Sequence, residues 1–344
     1  MRAWQAALGA IACATAAAAE LAEAQDTITI KFAMAVPATH YTATAGGKFF
    51  MDRVVELSKG RVKFEWYPGE QIGKAKDLLA LVQSGVVDMA DIVPSYVPDK
   101  LPLTGVSELP GQMTTSCEGT KAYYAITRPG KILATREFDP QKVHVLMAAP
   151  LVPYKILTAK KPVAKLEDLA GLKIRSSGGA SDATMRALGA VSVRLAGPEI
   201  YEALTRGTID GAMYPFLSLK PFGLTSSIKY ATEGASVGSV STTFLMSEAK
   251  YRALPADLQK VFDQAGYEAG MNYCNYMDTE ESKEKAALAG SITAIQLSPA
   301  EVARWKTVLD ATKVEWAKRL DERGKAGSES LAAWDEEMKK IRAK

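Results

Sequence analysis

The alternation of apolar and polar positions predicts two successive α/β units in this chain. In the first unit, β-rich runs at residues 27–36, 62–66 and 86–93 alternate with two stretches whose apolar residues recur at helical spacing. The helical stretches end at Gly60 and Gly85, and glycine commonly follows a helix. The order strand, helix, strand, helix, strand is the one expected of a doubly wound sheet.

The pattern then restarts after a proline-marked crossover near residues 150–153. Short strands and helices alternate again as far as residue 213, and a β-rich segment at 236–246 returns the chain to the first unit. Two long helical segments, 255–289 and 299–323, follow. The expected fold is a mixed α/β clam-shell of two lobes, with hinge strands and long C-terminal helices.

The two lobes divide the chain into non-contiguous segments. We expect lobe I to comprise residues 25–150 plus about 238–275, and lobe II residues 151–237 plus about 276–344. A ligand in such a fold lies in the crevice between the lobes, at the carboxyl ends of the strands. Residues near those strand ends are therefore the candidates for a binding site.

Residues 1–24 are typical of a secretory signal peptide. Arg2 supplies the positive start, residues 3–19 form an apolar stretch, and residues 22–24 give a small-x-small cleavage site. An alanine-rich helix is the alternative, and a lipoprotein anchored through Cys13 fits less well. No later apolar run is long enough to span a bilayer, so we expect a periplasmic protein that does not itself cross the membrane.

Composition and charge exclude several classes of protein. The 344 residues carry a formal net charge of +3 with both signs interspersed, which gives no indication of nucleic-acid binding. The two histidines and the dispersed cysteines predict no three-ligand metal site, although carboxylates alone are able to hold a cation. No phosphate loop or dinucleotide fingerprint occurs, and we expect no cofactor.

Cys117 and Cys274 are the cysteines that remain after the predicted signal peptide. They either form a disulfide in an oxidising compartment or stay as two unpaired, buried thiols. Because they are far apart and belong to no local pattern, we expect them to be unpaired.

Two motif matches are found in enzymes, and neither has the required context. Residues 234–238 match the nucleophile elbow of serine hydrolases, which requires the order Ser, acid, His along the chain. Both histidines, His40 and His144, precede Ser236. The S-x-x-K match at residues 226–229 lacks its companion motifs. We therefore expect that the protein is not an enzyme.

Arg175 is the first candidate for a binding residue. It stands near the end of a short apolar strand and is followed by the flexible run Ser-Ser-Gly-Gly at residues 176–179. An arginine there can present two parallel N–H donors to a carboxylate at the mouth of an α/β layer. The alternative is a structural ion pair with a neighbouring acid such as Asp168.

The segment around Arg175 resembles the second domain of DctP-type solute-binding proteins of tripartite ATP-independent periplasmic (TRAP) transporters. Residues 168–175 read D-L-A-G-L-K-I-R, residues 199–204 read E-I-Y-E-A-L, and residues 207–211 read G-T-I-D-G. Further stretches are similar to the family, and the resemblance covers essentially residues 27–325; these stretches are 60–62, 67–73, 85–89 and 254–259.

The resemblance implies a periplasmic-binding-protein-like fold and a role in transport. It implies that Arg175 binds an organic acid and that the loaded protein delivers the acid to the small and large membrane subunits of a TRAP permease. A sensor that presents the acid to a membrane receptor is an alternative function. An ABC-type binding protein is another, which the Arg175 segment fits less well.

The stretch after residue 211 departs from the family pattern. Many members carry a Glu-Asn pair before the proline, whereas this chain has Ala212, Met213 and Tyr214. The tyrosine keeps one hydroxyl and adds a large apolar face. We therefore expect a monocarboxylate with an apolar or aromatic body; a C4-dicarboxylate is the alternative.

Other candidate ligand-binding residues lie at strand ends that face the expected crevice. Lys155 occupies the place of a second arginine found in some members. Lysine offers a point charge instead of the two parallel N–H donors of a guanidinium. Each candidate has a surface or core role as its alternative, and a core role is favoured for Met213. The remaining candidates are Tyr154, His40, Tyr41, Ser95, Tyr96 and Ser177.

Overall fold

The computed structural model describes residues 27–343. The predicted signal peptide, residues 1–24, lies outside the described residues. Within the described part, the chain forms eleven strands: β1 (Ile28–Ala33), β2 (Val62–Tyr67), β3 (Met89–Ile92), β4 (Val143–Pro150), β5 (Lys155–Thr158), β6 (Lys173–Ser176), β7 (Val191–Arg194), β8 (Gly211–Tyr214), β9 (Tyr230–Glu233), β10 (Ser241–Ser247) and β11 (Thr293–Gln296).

The strands form two sheets, one in each lobe. The first has the order β2-β1-β3-β10-β4, and the second has the order β11-β9-β5-β8-β6-β7. In the first, β1 pairs in parallel with β2 and β3, whereas β10 is antiparallel to β3 and β4. In the second, β8 is parallel to β6 and antiparallel to β5. The predicted two-lobe α/β fold is confirmed.

Helices cover the faces of both sheets. The described residues form nine α-helices: α1 (Phe49–Leu57), α2 (Leu78–Gln83), α3 (Ser116–Thr127), α4 (Gly179–Ala187), α5 (Ile200–Thr205), α6 (Glu248–Ala253), α7 (Ala256–Leu288), α8 (Pro299–Glu322) and α9 (Gly327–Arg342). A π-helical segment, Thr42–Lys48, leads directly into α1. The long helix α7 packs on β4, α1 and α3 of lobe I and also reaches the turn Phe216–Ser218 of lobe II.

The C-terminal part of the chain contributes to both lobes. Strand β10 lies in the first sheet between β3 and β4, and β11 lies at the edge of the second sheet. Helix α9, which the sequence-based division assigns to lobe II, packs against α3 of lobe I. The buried Trp334 lies 6.4 Å from the ring of Tyr123 there, so an aromatic contact holds the C-terminal helix on the first lobe.

Cys117 and Cys274 form a disulfide, and the expectation of two unpaired thiols is wrong. Cys117 lies at the start of α3, and Cys274 lies in the middle of α7. Because these helices pack side by side, the two Cα atoms are 4.9 Å apart although 157 positions separate them in sequence. That Cα separation is within the range that disulfides require.

Candidate functional site

Arg175 lies on β6 in the second sheet, with its side chain buried between the lobes. Only 1% of its surface is exposed. Its Nε donates to the carbonyl oxygen of Leu195 at 2.9 Å, and its Nη2 lies 3.4 Å from the Tyr96 hydroxyl, which belongs to lobe I. Its Nη1 has no hydrogen-bond partner within residues 27–343. Asp168 accepts from the backbone N–H groups of Ala164 and Lys165 instead of pairing with the arginine.

An aromatic surface lies beside the guanidinium. The ring centroid of Tyr214, at the end of β8, is 5.3 Å from the Arg175 Cζ. The rings of Tyr154 and Phe222 lie 5.7 and 6.1 Å from that of Tyr214. Tyr154 lies beside Tyr214 because it precedes β5, the antiparallel neighbour of β8, in which Lys155 pairs with Tyr214. Phe222 was not among the sequence-based candidates, and nothing in its local pattern distinguishes it.

Lobe I closes over this surface through the turn after β3. The Tyr96 hydroxyl accepts a hydrogen bond from the backbone N–H of Gly197 in lobe II at 2.9 Å. Gly178 has φ +109°, and a Cβ atom there would collide with the carbonyl oxygen of Ser95. The run after Arg175 therefore needs glycine both for its backbone conformation and for close contact between the lobes.

His40 and Tyr41 lie at the start of the helical segment that precedes α1. The His40 ring centroid is 4.1 Å from that of Tyr41 and 4.8 Å from that of Phe222. The Tyr41 hydroxyl is 2.7 Å from the hydroxyl of Ser218 in lobe II. Burial lowers the pKa of His40 to about 3, so the imidazole is neutral at neutral pH.

Glu108 is a buried carboxyl that the sequence-based analysis did not select. Its Oε1 accepts from the backbone N–H of Ser241 at 3.1 Å, and its Oε2 has no partner among residues 27–343. Burial raises the pKa of Glu108 to about 8, and the positive charge of Arg175 partly opposes this. Ser95, one of the predicted residues, has its buried hydroxyl close enough to the Glu108 carboxyl to oppose this rise in pKa, and the hydroxyl has no other partner in the described part of the chain.

Three further predicted residues, like Tyr41 and Tyr96, contact other parts of the protein. Lys155 Nζ lies 3.6 Å from Glu281 and 5.3 Å from the ring centroid of Phe216. Ser177 Oγ is 2.9 Å from Ser181 Oγ in α4. Met213 is fully buried in the hydrophobic core. The structure thus brings seven candidates together around the aromatic surface, namely Arg175, Tyr214, Tyr154, Tyr96, Ser95, His40 and Tyr41.

A separate groove of about 870 Å³ runs between α4 and α8. It contains none of the ten candidates, and its rim carries the ion pair of Arg194 with Asp182 at 2.7 Å. No helix within residues 27–343 combines the length and apolarity needed to cross a bilayer.

The two-lobed fold, in which Arg175 and Tyr96 meet between the lobes, is typical of the solute-binding class of proteins. This chain belongs to the DctP family, the bacterial extracellular solute-binding proteins of family 7, whose profile matches residues 32–319. It is a TRAP-type periplasmic solute-binding protein, and such proteins serve transport and are not enzymes. The resemblance found in the sequence is therefore confirmed.

Three known proteins illustrate the similarity. The C4-dicarboxylate-binding periplasmic protein DctP of Rhodobacter capsulatus is 29% identical over 336 residues, which cover 95% of this chain and 96% of the relative. A TRAP solute-binding protein from Rhodoferax ferrireducens, solved with copurified benzoate, has a TM-score of 0.83 at 26% identity and covers 92% of this chain and 99% of its own. A marine metagenome protein specific for aromatic acid ligands, solved with meta-hydroxyphenylacetate, has a TM-score of 0.84 at 26% identity, with coverage of 91% and 99%.

Proposed function

We propose that the protein binds a small monocarboxylate with an aromatic or apolar body, and that Arg175 receives the carboxylate. The observation that carries the proposal is a guanidinium that is 1% exposed yet has an unpaired Nη1 within residues 27–343. A buried cation with a free donor is costly unless an anion completes its hydrogen bonds. A ligand carboxylate provides that anion.

The charges around the site support one carboxylate instead of two. Lys155 is the nearby cation. It lies on β5, which is separated from the Arg175 strand β6 by β8, and it is already 3.6 Å from Glu281. Glu108 has a pKa of about 8 and is mostly neutral at neutral pH, so it neither attracts nor strongly repels a ligand carboxylate. A second ligand carboxylate would lose its water without gaining a comparable partner.

The rings of Tyr214, Tyr154 and Phe222 support an aromatic or apolar ligand body. They group three rings beside the guanidinium, an environment that suits an aromatic or apolar group better than a polar one. The similar proteins solved with benzoate and with meta-hydroxyphenylacetate agree with this choice. The relative from Rhodobacter capsulatus is named for C4-dicarboxylates, which keeps that ligand class as the competing assignment.

A direct test is calorimetric titration of the exported protein with benzoate, phenylacetate, succinate and malate. We expect an aromatic acid to bind more tightly than either dicarboxylate. Arg175→Lys keeps the positive charge but loses the paired N–H donors of the guanidinium, and should lower the affinity for the acid at least about 10-fold. Arg128→Lys is the control, because Arg128 is a half-buried arginine that lies over Tyr124 away from the site. Tight binding of succinate or malate without any aromatic acid would overturn the proposal.

We further propose that the loaded protein delivers its acid to the small and large membrane subunits of a TRAP permease. Family membership supports this partner, and tighter binding to the closed lobes would drive closure on the ligand. Uptake of the labelled acid into proteoliposomes that hold the two membrane subunits should require the loaded protein. If uptake is absent and a sensor kinase responds to the loaded protein, the function is sensing.

A further inference from the structure

His40 carries a buried hydrogen-bond donor that the protein itself does not use. Only 3% of the residue is exposed. Its Nδ1 accepts a hydrogen bond from the backbone N–H of Thr42 at 3.1 Å, so the proton of the neutral ring is on Nε2. This Nε2 has no partner within the described residues 27–343. Because Nδ1 faces the start of the helix, Nε2 points away from that backbone.

Two aromatic rings connect the His40 side chain to the Arg175 side chain. The His40 ring is 4.8 Å from Phe222, Phe222 is 6.1 Å from Tyr214, and Tyr214 is 5.3 Å from the guanidinium. Phe222 and Tyr214 therefore lie between two unpaired donors. The charged one is Arg175 Nη1, and the neutral one is His40 Nε2. Tyr41, the other ring that contacts His40, already has its hydroxyl bonded to Ser218.

We propose that His40 is a specificity-determining residue whose Nε2–H donates to a neutral oxygen on the ligand body, remote from the carboxylate. This inference rests on the proposed function and narrows it to aromatic acids that carry a hydroxyl or carbonyl group. A buried donor left unpaired by an unsubstituted ligand costs free energy, so the site favours the substituted acid.

The same donor disfavours a second carboxylate at that end. A neutral N–H supplies one hydrogen bond and no charge, which is too little to replace the water lost by a carboxylate. Protonation of His40 would supply a charge, but burial lowers the pKa of the ring to about 3, so the cation is scarce in the physiological range.

The test compares ligands that differ only in a hydroxyl group. Benzoate, 3-hydroxybenzoate and 4-hydroxybenzoate are titrated against the wild type, His40→Phe and His40→Gln. We expect the wild type to bind one hydroxybenzoate at least about 10-fold more tightly than benzoate. His40→Phe should lose this preference, measured as the ratio of the hydroxybenzoate and benzoate affinities within the variant, while His40→Gln, which retains an N–H donor, should recover part of it. His144→Phe should leave the preference intact, because this second histidine pairs with Asp263 on another part of lobe I.

Two results would overturn the inference. One is a hydroxyl preference that is the same in the wild type and in His40→Phe. The other comes from nitrogen NMR of the unmodified chain, which needs no variant: a His40 ring that titrates between pH 5 and 8, or that is protonated on Nδ1, is incompatible with a neutral Nε2 donor. If no aromatic acid binds, or Arg175→Lys changes nothing, the proposed function itself is wrong. If benzoate binds through Arg175 without a preference that depends on His40, only this inference fails.

Discussion

Two cations flank strand β8 in the second sheet, and each lies beside an aromatic ring. Arg175 on β6 has its Cζ 5.3 Å from the ring centroid of Tyr214. Lys155 on β5 has its Nζ 5.3 Å from the ring centroid of Phe216. By sheet position and contact with a ring, the two residues are nearly equivalent.

Their hydrogen-bond partners separate them. Lys155 lies 3.6 Å from Glu281, whose carboxylate also accepts from the backbone N–H groups of Phe216 and Leu217 at 3.2 and 2.9 Å. Arg175 donates to one backbone carbonyl and approaches one hydroxyl, while its Nη1 is unpaired within residues 27–343. The difference supports the proposal that Arg175 binds the ligand, whereas Lys155 is paired with a protein acid.

The largest expected effect comes from Arg175→Met. This variant keeps most of the side-chain volume but removes the charged donors. Since each charge-assisted hydrogen bond contributes about 1.5–3 kcal/mol, we expect benzoate affinity to fall at least about 100-fold in calorimetric titration. Urea unfolding without ligand should give a free energy at most about 1.5 kcal/mol below that of the wild type, because the hydrogen bond from Nε to the Leu195 carbonyl oxygen is lost but no buried ion pair is broken. A loss of more than about 3 kcal/mol would make Arg175 a structural residue like Lys155.

Lys155→Met should give the opposite result. The change leaves Glu281 without its cation, so the free energy of unfolding should fall by about 1–3 kcal/mol in urea titrations. Benzoate affinity should stay within about 3-fold of the wild type. Lys155→Arg, which preserves the positive charge, is the control and should restore most of the stability. If Lys155→Met instead abolishes binding while stability is unchanged, both cations bind the ligand.

The features that select Arg175 as a candidate are local in the sequence. An apolar strand, an arginine near its end and a following glycine run lie within eight residues, at 172–179, and all three features recur in the structure. The alternating pattern that predicts two α/β lobes is also local. The pattern misses β9 and β11, which pair with each other at one side of the second sheet.

The partners of the buried charges are not visible in the sequence. Lys155 and Glu281 are far apart along the chain, and they meet because α7 reaches from lobe I to the turn after β8. The contact of Phe222 with Tyr214 and the disulfide between Cys117 and Cys274 also depend on tertiary packing. Whether a charged residue binds a ligand or stabilises the fold is decided by such contacts, so it cannot be deduced from local pattern alone.

A further expected effect concerns Glu108 and appears only as a change of slope with pH. The pKa of Glu108 is raised from 4.5 to about 8 by burial, so the folded protein holds a proton on this carboxyl that the unfolded chain releases above about pH 4.5. Its contribution to stability is complete below that pH and is lost as the pH rises towards 8. Glu108→Gln cannot titrate, so its free energy of unfolding should fall less steeply with pH than that of the wild type. The two slopes should differ by at most about 1.4 kcal/mol per pH unit.

The measurement is the free energy of urea unfolding of both proteins, without ligand, at pH 5, 6, 7 and 8. Asp91 and Glu137, whose pKa values burial raises to about 7 and about 8, act equally in the two proteins and cancel in the difference. The advantage of the wild type over Glu108→Gln should therefore shrink steadily from pH 5 to pH 8. An advantage that stays level or grows would mean that Glu108 is ionised and acts as the counter-ion of Arg175. Arg175 would then have a protein acid beside it, as Lys155 does, and the distinction between the two cations would no longer hold.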